Sequence, residues 1–165
     1  MIEYRWLEPE DIEHVINFYG KYFYEKKGFV TKENAHNCAI AVNKILTSEE
    51  IVGAAVWVPE SETVFLGKEI KWAATNPAYR GNGIAEHLIK MILDNTQGNI
   101  YASAWRTNNE TAHIHTVLKK LGFGLIQRPR VSWQAEITCR KENCPYGLKD
   151  RLTCYCYEDT YVLKR

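Results

Sequence analysis

Between Thr75 and Ala85 the chain reads Thr-Asn-Pro-Ala-Tyr-Arg-Gly-Asn-Gly-Ile-Ala, and no other stretch narrows the fold so far. The apolar run Glu69–Thr75 leads into it and reads as a strand. Ile84, Leu88, Ile89, Ile92 and Leu93 follow at helical spacing, predicting a helix to about Asn95. A strand, a glycine turn and a helix N-terminus in succession make an anion site, because unpaired amides and the helix dipole both favour phosphate there. Gly81 and Gly83 lack Cβ, so the backbone can turn sharply and approach a ligand closely. Arg80 adds a permanent charge with forked donors that suit phosphate.

Two familiar phosphate motifs are excluded. A dinucleotide fingerprint needs Gly three residues beyond Gly83, where Glu86 stands, and no Gly-Lys-Ser/Thr of a P-loop follows. The stretch resembles instead the cofactor motif of the GNAT superfamily, the acyl-CoA-dependent N-acyltransferases. That motif reads Arg/Gln-x-x-Gly-x-Gly/Ala. Arg80, Gly83 and Ala85 fill its positions behind Pro77-Ala78-Tyr79. Further on, Asn109-Glu110-Thr111-Ala112 and Gly122-Phe123 resemble the two ends of the family's late helix, at a spacing about two residues longer than the common form.

The remaining pattern agrees with that resemblance. Ile2–Leu7 alternates like a strand, and Glu8-Pro9-Glu10-Asp11 opens a helix predicted from Pro9 to Lys26 and closed by Gly28. Cys38–Leu46 and Ile51–Val58 read as a hairpin, and Glu60-Ser61-Glu62 as a turn. A strand Ile100–Trp105 and a helix Asn109–Leu121 follow, with Gly122 as C-cap. From Phe123 the pattern is strand-like, interrupted by a cysteine-bearing insert at about 132–158 before a closing strand Thr160–Lys164. With 165 residues, this is one domain over 1–165. The resemblance implies an α/β (α+β) fold: a mixed, twisted, mostly antiparallel sheet with splayed central strands and helices on both faces.

The resemblance also implies a site. Acetyl-CoA would be the co-substrate, its pantetheine arm bonded by Ala73, Ala74 and Thr75 as an added strand. Alternatively, Ala73 and Ala74 merely pack beneath a helix. Amides of Gly81, Asn82, Gly83, Ile84 and Ala85 would hold the pyrophosphate beside Arg80, and an amide near Thr75 would polarise the thioester carbonyl. Asn109 would order the turn after the fifth strand and contact the cofactor, or simply cap its helix. Glu69 stands six residues before Thr75 on the same strand, at even spacing, so its side chain is expected to share a face with the ligand slot. It matches the general base of the histone acetyltransferase branch; the alternative is a surface carboxylate paired with Lys68 or Lys71. The tyrosine that usually protonates the leaving thiolate, four residues before Gly-Phe, is Leu118 here, with Thr116 and Lys120 at the shifted positions. Tyr101, or Tyr155 or Tyr157 of the insert, would substitute or would only pack. His113 and His115, two apart on a helix, face different ways; one lines the acceptor pocket, or both are exposed or satisfied.

Cys139, Cys144, Cys154 and Cys156 cluster late in the chain, leaving only Cys38 outside. Four thiolates can close a structural zinc site, although Cys-x4-Cys and Cys-x-Cys are not the usual pairs; buried thiols or disulfides are the alternatives. Net charge is +1, too little for a field that draws the whole protein onto nucleic acid or lipid. Arg128, Arg130, Arg140, Lys141, Lys149 and Arg151 keep an acidic or nucleic-acid acceptor open beside the plainer reading of a solvated face. Met1–Trp6 lacks an export-signal layout and no apolar run approaches membrane-spanning length, so a cytoplasmic protein is expected. The expected partner is an amine-bearing small molecule or protein, with a homodimer left open. The leading reading is a direct-transfer N-acetyltransferase. Its alternatives are a catalytically silent acyl-CoA sensor and a zinc-stapled nucleic-acid binder on a degenerate transferase core.

Overall fold

A computed structural model of the chain describes residues 1–21, 30–45, 48–59, 67–107, 114–127 and 156–165. The apolar runs that read as a hairpin do pair: β2 (Cys38–Ile45) lies antiparallel to β3 (Ser48–Val58). On one edge of this pair stands β1 (Ile2–Trp6), and on the other β4 (Lys68–Thr75), both antiparallel. β5 (Ile100–Thr107) is parallel to β4, and β7 (Cys156–Leu163) joins β5 antiparallel with β6 (Gly124–Gln127) outermost. The sheet order is β1-β2-β3-β4-β5-β7-β6. Of the six pairings among the described strands only β4–β5 is parallel, as expected for a strand–helix–strand crossover through α2 (Ile84–Asp94).

Alternation along the strands sorts apolar side chains to two faces. Ala39, Ala41, Val52, Ala55, Ile70, Ala102 and Ala104 form one layer under Leu88, Ile89 and Ile92 of α2 and Leu118 of α3 (His115–Lys120). Ile40, Val42, Ala54 and Val56 form the other, under Val15, Phe18 and Tyr19 of α1 (Ile12–Tyr19). Helices therefore cover both faces of a mixed, largely antiparallel sheet, as expected. Small residues in the strands let the helices sit close. Gly53 is the extreme case, since a Cβ there would lie 2.6 Å from Ile84 Cγ2.

Predicted boundaries shift most in the first helix and the closing strand. The first helix begins as a 3-10 turn over Pro9–Asp11 and α1 ends at Tyr19, with Gly20 as its cap, while 22–26 lie outside the described residues. Asp11 explains the sharp start: it accepts from the Glu8 amide at 3.1 Å and is held by both guanidinium nitrogens of Arg5. The closing strand begins at Cys156 rather than Thr160, because Cys156–Asp159 continue the ladder with β5, from Thr107 to Ala104. The polar Glu158-Asp159 pair disguised that strand as part of the insert. No described helix is long and apolar enough to cross a membrane.

Candidate active site

β4 and β5 pair only at Lys68–Ile100, Glu69–Tyr101 and Ile70–Ala102. Beyond these residues β4 stays on β3 as far as Thr75, and β5 stays on β7 as far as Thr107. The two central strands therefore separate, leaving a notch that opens toward their C-terminal ends. Between Lys71 and Thr75 the β4 edge that faces β5 has no strand across it among the described residues. Such an edge accepts an extended ligand as if it were another strand.

The turn expected at the end of β4 stands beside the wide end of the notch. Asn76 continues the β3 ladder through its amide to Val52 O at 2.8 Å, and its side chain accepts from the Ala78 amide at 3.0 Å. Pro77–Tyr79 form a 3-10 turn, and Asn82 Nδ2 donates to Tyr79 O at 3.0 Å. Asn82 is thus a brace for the turn. Gly81 and Gly83 take φ of 82° and 73°, in the left-handed region that favours glycine, and Gly83 is the N-cap of α2. Added Cβ atoms at either glycine would meet nothing within 4 Å, so space lies before the amides. Arg80 is exposed beside them. Ile84 is 2% exposed and packs into the core, so only its amide can serve a ligand.

A further feature lies at the end of β4. Among the described residues Thr75 Oγ1 is the buried side-chain oxygen or nitrogen without a hydrogen-bond partner. Buried hydroxyls are normally satisfied, and this one stands at the last residue of β4, beside the turn. Ala73 packs with the α2 layer and Ala74 with the α1 layer, both half-buried. The packing expected of these alanines is real, and their backbone still forms the open edge.

Even spacing misplaced Glu69. Val56 pairs with Trp72 but Trp57 pairs with Ile70, so Lys71 is an extra residue and β4 is bulged there. Ile70 and Ala73, three apart, consequently share the α2 face. Glu69 falls on the opposite, α1 face, and so does not share a side with Ala73 and Thr75. Nor is it a surface carboxylate: it is 2% exposed and accepts from Ser103 Oγ at 3.0 Å. Ser103, which no local motif singles out, stands one residue past the last β4–β5 pair, at the apex of the notch.

Tyr101 is brought beside Glu69 by register. Its ring packs over Gly67, where a Cβ would lie 2.9 Å from Tyr101 Cε2. It therefore points to the closed end of the strand pair, and the role of thiolate acid does not suit it. Leu118, in the usual acid's position, is buried among apolar neighbours. Cys38 is fully buried, and desolvation pushes its thiol up to about 12, so it is no nucleophile.

Asn109, Tyr155 and His113 lie outside the described residues, as do Cys139, Cys144 and Cys154. Cys156 is placed by its backbone at the start of β7, opposite Thr107. Among the described residues no group of three or more His, Cys, Asp or Glu could hold a metal ion.

Comparison with known proteins follows the same lines. Residues 34–124, more than half of the chain, match the acetyltransferase (GNAT) domain family. An uncharacterized protein of Mycobacterium leprae (strain TN) is 34% identical over 99 residues; the match takes 59% of this chain and 26% of that protein, so the chain spans about a quarter of that relative's length. The fold is shared with Arabidopsis thaliana NAA60 solved with a bisubstrate analogue, at TM-score 0.66 and 19% identity over 100% of this chain and 99% of that one. It is shared also with Drosophila melanogaster polyamine N-acetyltransferase, at TM-score 0.64 and 13% identity over 100% of both chains.

Proposed function

This chain belongs to the acetyltransferase (GNAT) domain family, and on that premise we propose that it transfers the acetyl group of acetyl-CoA directly to an amine. The observation that carries the reading is the notch between β4 and β5, ending at left-handed glycines on the N-terminus of α2. The Gly81–Ala85 amides and Arg80 bind the pyrophosphate, with the helix dipole adding to their pull. The open edge at Ala73, Ala74 and Thr75 bonds the pantetheine arm, and Thr75 Oγ1 gains there the partner it lacks. An amide of that edge polarises the thioester carbonyl and holds the oxyanion that develops.

A protonated amine is no nucleophile, so its proton must leave. Glu69 is the base in this reading. It stands at the apex of the notch on the α1 face, oriented by Ser103, so the amine enters from that face while acetyl-CoA lies in the notch. No acyl-enzyme forms, consistent with the sealed thiol of Cys38. The acceptor is an amine-bearing small molecule or protein, and the setting is the cytoplasm, where acetyl-CoA is supplied. Leu118 in the acid's usual place supports a second reading, an acyl-CoA sensor that binds without turnover.

Purified protein with acetyl-CoA and chemically distinct amines, read by thiol release and product mass, separates the two. A sensor binds CoA and releases no thiol. With an accepted amine, Glu69→Gln should lower kcat by about 100-fold or more and leave the KM for acetyl-CoA unchanged. An unimpaired Glu69→Gln enzyme would remove Glu69 from the mechanism.

A further inference from the structure

Three polar groups that this mechanism does not use form a chain under β5. Asp159 is 0% exposed and Tyr161 1% exposed, both on β7. Tyr161 packs in the α2/α3 layer, and Asp159, two residues away on the same strand, shares its face. The Tyr161 hydroxyl lies 2.7 Å from Nδ1 of His115 and donates to Asp159 Oδ2 at 3.4 Å. A carboxylate sealed in an apolar layer is costly unless hydrogen-bonded or balanced by positive charge.

Register locates the chain. Tyr161 pairs with Ala102, the last β5 residue joined to β4, and Asp159 pairs with Ala104, two residues into the notch. At the end of α3, a Cβ on Gly122 would lie 3.4 Å from Leu163, which pairs with Ile100 at the start of β5. The opposite end of α3, where His115 stands, therefore lies toward the open end of the notch. Leu118 is about one turn farther back and has no proton to give.

We propose that His115 takes the place of the missing tyrosine as proton donor to the departing thiolate, with Tyr161 and Asp159 as positioning residues; this rests on the acetyl-transfer reading above. In the protonated ring Nδ1–H donates to the Tyr161 oxygen, whose own proton goes to Asp159. The carboxylate balances the ring's charge through one hydroxyl, and Nε2–H is the proton available for transfer. When the tetrahedral intermediate collapses, the C–S bond breaks, the electron pair stays on sulfur, and sulfur takes the Nε2 proton. The ammonium gives one proton to Glu69 before attack, and Glu69 passes it to water. Once the C–N bond has formed, the nitrogen gives a second proton to the freed Glu69 carboxylate, which again releases it to water. His115 takes one proton back from water, so each turnover yields amide, thiol and one proton. Base and acid thus work from opposite faces of the notch.

The test compares wild type with His115→Ala and Tyr161→Phe, using acetyl-CoA and an accepted amine. His115→Ala should lose about 100-fold in kcat while the KM for acetyl-CoA and the Kd for CoA stay within twofold. Added imidazole should restore much of that loss, which a purely structural role would not allow. Tyr161→Phe preserves the packing and should lower kcat less, again without changing CoA affinity. A His115→Ala kcat within threefold of wild type, or a loss matched by weaker CoA binding, overturns the proposal alone. A wild-type protein that releases no thiol overturns the acetyl-transfer reading and this proposal with it.

Discussion

Gly83 offers a test in which strain and ligand exclusion separate. Its φ of 73° lies where an L residue is penalised by about 1–2 kcal/mol, but an added Cβ would meet nothing within 4 Å. Gly83→Ala should therefore cost stability through backbone strain alone. At this chain length each kcal/mol moves the melting midpoint by about 2–4 °C, so a loss of roughly 2–8 °C is expected. Gly83→Asn should melt closer to wild type, because Asn tolerates the left-handed region. Gly83→Glu should pay the same strain as Ala and also place a carboxylate against the diphosphate. Two unit charges about 5 Å apart at an effective dielectric of about 20 repel by roughly 3 kcal/mol, which is about a 100-fold rise in the Kd for CoA. Thermal melts with calorimetric CoA titrations of the three variants give both quantities. If Gly83→Glu melts as Ala does but binds CoA with wild-type affinity, the pyrophosphate does not sit on these amides and the cofactor assignment fails.

Two further outcomes follow from the scaffold. Gly53→Ala puts a methyl 2.6 Å from Ile84 Cγ2 and 3.2 Å from Leu88 Cδ1, and should destabilise by about 1–3 kcal/mol through overpacking; because Ile84 opens α2, CoA binding should weaken as well, and a melt unchanged from wild type would show that α2 yields freely. Arg5 holds the Asp11 carboxyl below its ordinary value, chiefly through their hydrogen bonds; the resulting stability is present in full above the unfolded carboxylate's value of about 4 and is lost as pH falls through the folded value. Asp11→Asn should cost about 1–2 kcal/mol near neutrality and flatten the acid limb of a stability–pH profile, whereas an unaltered limb would assign that limb to other groups.

Most of this architecture was legible in local pattern. The Cys38–Val58 hairpin, the strand entering Thr75, the glycine turn and the helix from Ile84 follow from periodicity and turn chemistry, which act over a few residues. The side on which Glu69 stands was not legible. Parity counting assumes a regular pleat, and the extra residue at Lys71 is visible only in the pairing with β3. Likewise His115 read as one of two helix histidines on different faces. Its partner Tyr161 is 46 residues away, and no short-range pattern joins them.

By itself, then, the order of residues determined where a strand would turn on left-handed glycines into a helix N-terminus, because glycine placement and helix starts are local choices of the backbone. Tertiary structure alone decided the rest: the opening of β4 from β5, the burial of Glu69 beside Ser103, and the alignment of His115, Tyr161 and Asp159. Each of these depends on which strands pair and where they stop pairing, which is settled by packing between segments distant in the chain.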